Sequence, residues 1–526
     1  MGGCGGGLFT FGWPPMDPAA AFAEFTSGAV PLPHPSASTN GAAYCVNPAM
    51  YASVPPHMLL QPSPATTAAE DDAARRRREA EEAVAIHLVH LLVSCADAIQ
   101  AGDYTSAHRN VADAHSILGN IPTATGIGRV ADHFAAALSH RLYPAESYQQ
   151  APNGSSASEL HHHFYEAGPY LKFAYSTANL AILDAFAGCS RVHVVDLALM
   201  QGHQWAGLIH ALSQRPGGPP HLRVTGIGPP QTGPRDELRE VGFRLAELAR
   251  SLKVPFSFRG VCSDQLDGLR PWMLHIVPGE ALAVNSVLQL HRLLVDPDAD
   301  PTVPAPIDTL LGWLAAARPR VFTVVEQEAD HNRPSLLERF THALFHYAAI
   351  FDSMEDAAGG GGGGVRDPLA EAYLRAEIFD VVCGEGSARA ERHELLGRWR
   401  ERLMRAGMAQ LPFGPNALRQ ATDQLFSLTM EASPGAYAVL ECDGSLALGW
   451  HNRALYAVSA WRPTGRGAAG DGDGDDTNTN GRCCYTTYTG GNRSNESSNG
   501  SGSSLAGTSY QGAAAAAETS FMPSSY

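Results

Sequence analysis

The chain has 526 residues, a formal net charge of −16 and 44% hydrophobic residues, so it is long for one domain and apolar enough for a large core. The acidic balance argues against broad nonspecific binding to nucleic acid, because neutralising phosphates takes a surplus of Lys and Arg. No apolar run is expected to approach the ~20 residues of a membrane span, and no basic-then-apolar signal peptide is visible at the N-terminus. The nine cysteines are scattered without a CxxC pair, which predicts reduced thiols, an intracellular setting and no structural zinc.

Residues 1–80 are rich in Gly, Pro, Ala and Ser without periodicity and are predicted to be a disordered arm. At its end, Arg75, Arg76, Arg77 and Arg78 have the form of a nuclear import signal; a solvated helix start reads equally well. The ordered region is expected over 81–463. Leu88, Leu91, Leu92, Cys95 and Ile99 fall on one helical face, and Gly102-Asp103 stops that helix. Two more helical stretches complete a leucine-rich block over 81–150. Within it "LVHLL" makes Leu88, Leu91 and Leu92 an L-x-x-L-L face for a partner's groove, although the same leucines also suit a core.

Over 160–463 strands alternate with helices. "VHVVD", "LRVTGIG", "PFSFRGV", "ALAVNSV" and "RVFTVVEQE" are strands, "LQLHRLL" is helical, and an antiparallel hairpin is expected around Asp443-Gly444. That alternation predicts an α/β fold with a doubly wound, mostly parallel sheet. Gly359 to Gly364 mark a flexible loop, and 464–526 a disordered tail.

In such a sheet, ligands sit at the C-terminal ends of the strands, here Asp196, Gly226, Gly228, Asn285, Glu326 and Glu328. A cofactor needs glycines in the first turn and an acid ending the second strand. Instead Leu199 and Met200 fill the turn and "VTGIGPP" has no acid. Neither cofactor nor catalytic residues are therefore expected. Glu326, Glu328, Asp330 and His331 are expected to be a polar loop capping the helix near Pro334. The three histidines of "ELHHHF" point in different directions along a helix, so no metal site is expected there. His203 and His451 are expected to be structural.

The motifs together resemble the GRAS family of plant transcriptional regulators. Val192, His193, Val194, Val195 and Asp196 resemble its VHIID signature, "RAER" at Arg389 to Arg392 its RVER segment, and Ser459, Ala460 and Trp461 its SAW motif. The text is most similar to the DELLA subgroup, yet residues 1–80 contain no "DELLA". The resemblance implies a methyltransferase-like (Rossmann-type) core with an N-terminal helical cap. It also implies a nuclear repressor of gibberellin signalling, with transcription factors and other GRAS proteins as partners. Those contacts would run through the leucine-rich helices and the face around the SAW motif. Binding to the gibberellin receptor is expected to be weak or absent, with resistance to hormone-induced degradation. Direct DNA binding and membrane contact are not expected. A small-molecule methyltransferase is the rival reading.

Overall fold

The helical text at the start folds as α1 (Pro64–Ala101), α2 (Tyr104–Leu118) and α3 (Gly126–Leu142) in a computed structural model. It describes residues 64–120, 126–144, 156–230, 236–263, 265–300, 302, 304–357, 367–430, 435–464 and 486–488. The glycine run at 359–364 and most of both tails lie outside the described residues. Residues 64–80, expected to be part of a disordered arm, are instead helical. Ala, Glu and Arg have high intrinsic helix propensity, which extends α1 backwards without an apolar stripe. Arg75 to Arg78 thus lie within a helix, with Arg76 exposed.

Leu88, Leu92, Cys95 and Ile99 are core residues, and Leu91 packs partly buried against them. Gly102 closes α1 at φ +76°, a conformation that suits glycine, and Asp103 starts α2 by accepting from Ser106 N at 3.1 Å. Contrary to expectation, Ala83–Ala101 is long and apolar enough to cross a membrane by length and composition. Its inner stripe is core of the helical cap, which is the packing reason for so apolar a helix.

After α4 (Ala157–Ala167) and α5 (Tyr170–Ala185), the chain alternates. It runs through β1 (Arg191–Asp196), α6 (His203–Ser213), β2 (His221–Gly228), α7 (Glu237–Ser251) and β3 (Phe256–Cys262). It continues with β4 (Ala281–Val287), α8 (Pro306–Ala317), β5 (Val321–Gln327), α9 (Leu336–Ala357), α10 (Pro368–Cys383) and α11 (Leu396–Arg405). β6 (Met408–Gln410), α12 (Pro415–Leu428), β7 (Tyr437–Cys442), β8 (Ser445–Trp450), β9 (Arg453–Pro463) and β10 (Thr486–Tyr488) close it. The sheet order is β3-β2-β1-β4-β5-β9-β8-β7-β10, with β6 on β9.

The first five strands pair in parallel and β9 runs antiparallel to β5. Helices cover both faces, α5, α6 and α7 on one and α8 and α11 on the other. This is a doubly wound α/β core with an N-terminal helical cap.

Three details differ from expectation. "LQLHRLL" forms one 3-10 turn, Leu290–Leu293. The closing antiparallel part has two turns, Asp443-Gly444 and His451-Asn452, each with both φ values positive as tight hairpins require. Consequently β9, and not the Asp443-Gly444 hairpin, joins the parallel strands. Finally, α10 is buried on most of its surface, so no one-sided stripe marks it in sequence.

Candidate functional site at the strand ends

The order 3-2-1-4-5 reverses between β1 and β4, which is where this fold class opens a ligand crevice. There Asp196 lies in register with Asn285. Trp205 Nε1 donates to Asp196 Oδ2 at 2.7 Å, and Ala198 N and Asn285 Nδ2 donate to Oδ1 at 3.2 and 3.3 Å. Burial pushes the Asp196 carboxyl up to about 6, against the lowering effect of these donors. Asn285 Nδ2 also donates to Gln204 Oε1 at 3.0 Å, Gln204 Nε2 donates to Asn179 Oδ1 at 3.3 Å, and Thr323 Oγ1 donates to Asn285 Oδ1 at 2.7 Å. The polar groups at the crevice therefore bind one another.

The turn after Asp196 is filled as its sequence suggests. Leu199 is buried and donates its N–H to Ile227 O at 2.9 Å. It sits so close over β2 that a Cβ on Gly226 would lie 2.6 Å from Leu199 Cδ2. Gly202, in the left-handed region at φ +74°, leaves no room for a Cβ beside Val241 of α7, at 2.7 Å. Its smallness serves helix-on-helix packing. Met200 is half-buried in the same turn.

A second polar cluster lies beyond the ends of β4 and β5. Glu326 Oε1 accepts from Leu290 N at 2.8 Å, and Glu326 Oε2 lies 2.6 Å from His291 Nδ1. His291 Nε2 lies 2.8 Å from Glu391 Oε2, while Arg292 donates to Glu391 Oε1 at 2.7 Å. His393 Nε2 approaches Glu391 Oε2 at 3.4 Å without hydrogen-bonding it, and His393 Nδ1 faces His331 Nδ1 at 3.0 Å. Deeper in, Gln327 and Tyr347 donate to Glu377 Oε2 at 2.9 and 3.0 Å.

Burial disfavours charge on every group here. It lowers His291, but Glu326 and Glu391 outweigh it and raise that imidazole to about 9. It raises Glu391, but Arg292 and His291 hold that carboxyl down at about 2. Burial, with the charge of Glu391, pushes Glu377 up to about 7, and burial pushes His331 down to about 3. Glu326 therefore anchors this cluster and does not cap a helix near Pro334. Glu328 does cap, accepting from Leu396 N at 2.8 Å, but for α11, and Ser335 caps α9 by accepting from Glu338 N at 3.2 Å.

A GRAS domain family model matches residues 88–462. The chain belongs to the GRAS family. Protein SLENDER RICE1-LIKE 1 of Oryza sativa subsp. japonica is 52% identical over 87% of this chain and 91% of that one. The DELLA protein DWARF8 of Zea mays is 43% identical, over 73% of this chain and 62% of its own length. The crystal structure of SCL7 from Oryza sativa covers 71% of this chain and 99% of its own at 30% identity, with a TM-score of 0.59.

The GRAS motifs are largely interior. In the VHIID-like segment Val192, Val194 and Val195 are buried in the central strand. His193 is buried too, its Nε2 2.8 Å from Thr225 Oγ1. Ser459, Ala460 and Trp461 of the SAW motif are buried in β9, where Trp461 Nε1 donates to Ser459 Oγ at 2.9 Å. These three side chains therefore cannot form a partner face. The same correction applies to "LVHLL". Leu88 and Leu92 are 1% and 0% exposed, and side chains that fill the cap core have no surface to offer; only Leu91 is partly accessible.

The "HHH" residues do diverge, His161 to Tyr175, His162 to His203 and His163 to Asp367. The Glu391–His393 pair was invisible in sequence because its partner His291 lies a hundred residues upstream. The adjacent basic pair His291-Arg292 and the charged run "RAERHE" were the available signals.

Proposed function

We propose that this GRAS protein is a nuclear transcriptional regulator, a DELLA-like repressor of gibberellin signalling that persists when the hormone is present. It acts through protein contacts, with transcription factors and other GRAS proteins as partners, and without direct DNA binding. The observation that carries the non-catalytic part is Leu199 seated on Gly226, with Asp196, Asn285 and Gln204 engaged among themselves. The space and polar groups that a nucleotide would use are taken up by the protein. Similarity to DELLA proteins supports the place in gibberellin signalling. The text of residues 1–80, with no DELLA motif, supports weak or absent receptor contact, since a segment that folds on binding must offset its ordering entropy by specific contacts.

Partner surface remains where the motifs do not reach. Ile86 on the cap and Phe426 and Met430 near the end of α12 are exposed apolar side chains. At the N-terminal end of β5, beside the end of β9, a cavity of about 570 Å³ is lined in part by Arg318, Arg320 and Arg462, with Asp184 as its one acid. Their guanidinium groups make no ion pair or hydrogen bond among the described residues, so they leave positive charge for an acidic partner on an acidic protein. The test is a time course of tagged protein after gibberellin, with synthesis blocked. Persistence is expected. Loss as fast as that of a DELLA protein bearing its full motif overturns the hormone-resistant reading.

A further inference from the structure

Three ligand-type side chains meet at one buried point from two segments a hundred residues apart. His291 comes from the turn after β4, and Glu391 and His393 from the segment between α10 and α11; all three are buried, with their donor atoms within 4.8 Å of one another. We propose that His291 Nε2, Glu391 Oε2 and His393 Nε2 bind a divalent transition metal of the zinc type, which ties the Arg389–Glu394 segment to the ends of β4 and β5.

The surroundings are those of a metal site. A metal-bound histidine usually has its other ring nitrogen held by a carboxylate, a carbonyl or water, which fixes the tautomer and the ring. His291 Nδ1 has that partner in Glu326 Oε2 at 2.6 Å, and Glu326 is itself held by Leu290 N. Glu391 keeps one oxygen on Arg292 and turns the other to the two imidazoles. His393 Nδ1 is held by a third imidazole, His331 Nδ1 at 3.0 Å, in place of a carboxylate. With the proton between them on His393, its Nε2 presents a lone pair to the Glu391 carboxylate at 3.4 Å.

That nitrogen has no hydrogen-bond partner although the residue is fully buried, a costly state for a polar atom. A cation between the three donors satisfies it and replaces the proton otherwise shared by His291 and Glu391. Two imidazoles and one carboxylate suit zinc, and leave one of four positions for water.

The test uses the full chain, loaded by expression or refolding with Zn²⁺ and, separately, Co²⁺. The expected result is one tightly held metal per chain. The Co²⁺ form should show the visible bands of a tetrahedral site and no thiolate-to-cobalt absorption, which distinguishes this site from adventitious capture by cysteines. Glu391→Gln should abolish retention. Glu326→Gln, one shell out, should weaken affinity roughly 10- to 100-fold. Should Glu391→Gln fail to fold, the wild-type cobalt spectrum and the Glu326→Gln affinity decide. A wild-type chain that retains no metal overturns the proposal. So does a cobalt spectrum with thiolate character, or one that Glu391→Gln leaves unchanged.

Discussion

Two polar clusters lie within one sheet-width of each other and are built on opposite principles. Around Asp196, one acid is surrounded by amides, an indole and a hydroxyl, nearly all supplied by the ends of β1, β4, β5 and the start of α6. Around Glu391, charges of both signs come from distant segments, and histidine nitrogens are left without hydrogen-bond partners. The first lies where this fold class binds its ligands, yet is closed by its own side chains. The second lies at the neighbouring ends of β4 and β5 and carries the concentrated charge. Position within a fold therefore does not identify where reactive groups collect; the inventory of charges and unpaired atoms does.

The largest effect is expected at Glu391. Replacing it with Ala strands His291 and Arg292, and removing one partner of a buried charge pair costs ~3–5 kcal/mol. Urea unfolding should show that loss; a change under ~1 kcal/mol would mean the cluster is looser than its distances state. In the cap, Leu92→Asp should be comparably damaging, ~3–5 kcal/mol, through lost burial and an unpaired charge. The same change at half-buried Leu91 should cost clearly less, so circular dichroism melts of the two variants separate core from surface.

A subtler effect concerns pH at Asp196. Its folded pKa, about 6, lies above the ordinary carboxyl value of 3.8. The folded state therefore holds the proton more tightly, and this group's contribution to stability is full below pH 4 and lost as pH rises through 6. Asp196→Asn should remove a pH-dependent contribution of roughly 2–3 kcal/mol between pH 7 and 4. Glu377 shifts in the same direction and the lowered histidines in the opposite one, so the wild-type-minus-variant difference is the quantity to measure.

At the crevice itself, S-adenosylmethionine should give no binding heat in calorimetry, because Leu199 fills the turn. Micromolar affinity would reopen the methyltransferase reading. The smallest effect is expected from deleting residues 1–63, whose Gly- and Pro-rich text carries no helical or strand periodicity. The urea midpoint should stay where it is.

Much of this was legible in the chain. The i, i+3, i+4 stripe of α1, the β-branched runs of β1 and β5 and the Asp443-Gly444 turn follow from local geometry, which a sequence carries directly. The filled turn at Leu199 was legible too, since a bulky residue cannot occupy a glycine's place. The start of α1 was misplaced because propensity without periodicity leaves no stripe to read.

What a sequence cannot display is which face of a residue the rest of the chain will cover. "LVHLL" and the SAW motif have the composition of docking surfaces and of cores alike; packing against α2, α3 and α9, and the insertion of β9 beside β5, made them cores. The cluster of His291, Glu326, Glu391 and His393 is the extreme case. No spacing announces it, because its members share a site only after β4, β5 and the segment behind α10 have been brought together. Burial and charge coupling there are properties of the folded arrangement, set by the dielectric and neighbours it creates. Local hydrophobic pattern determined the elements, and tertiary packing alone decided which polar groups meet in the interior.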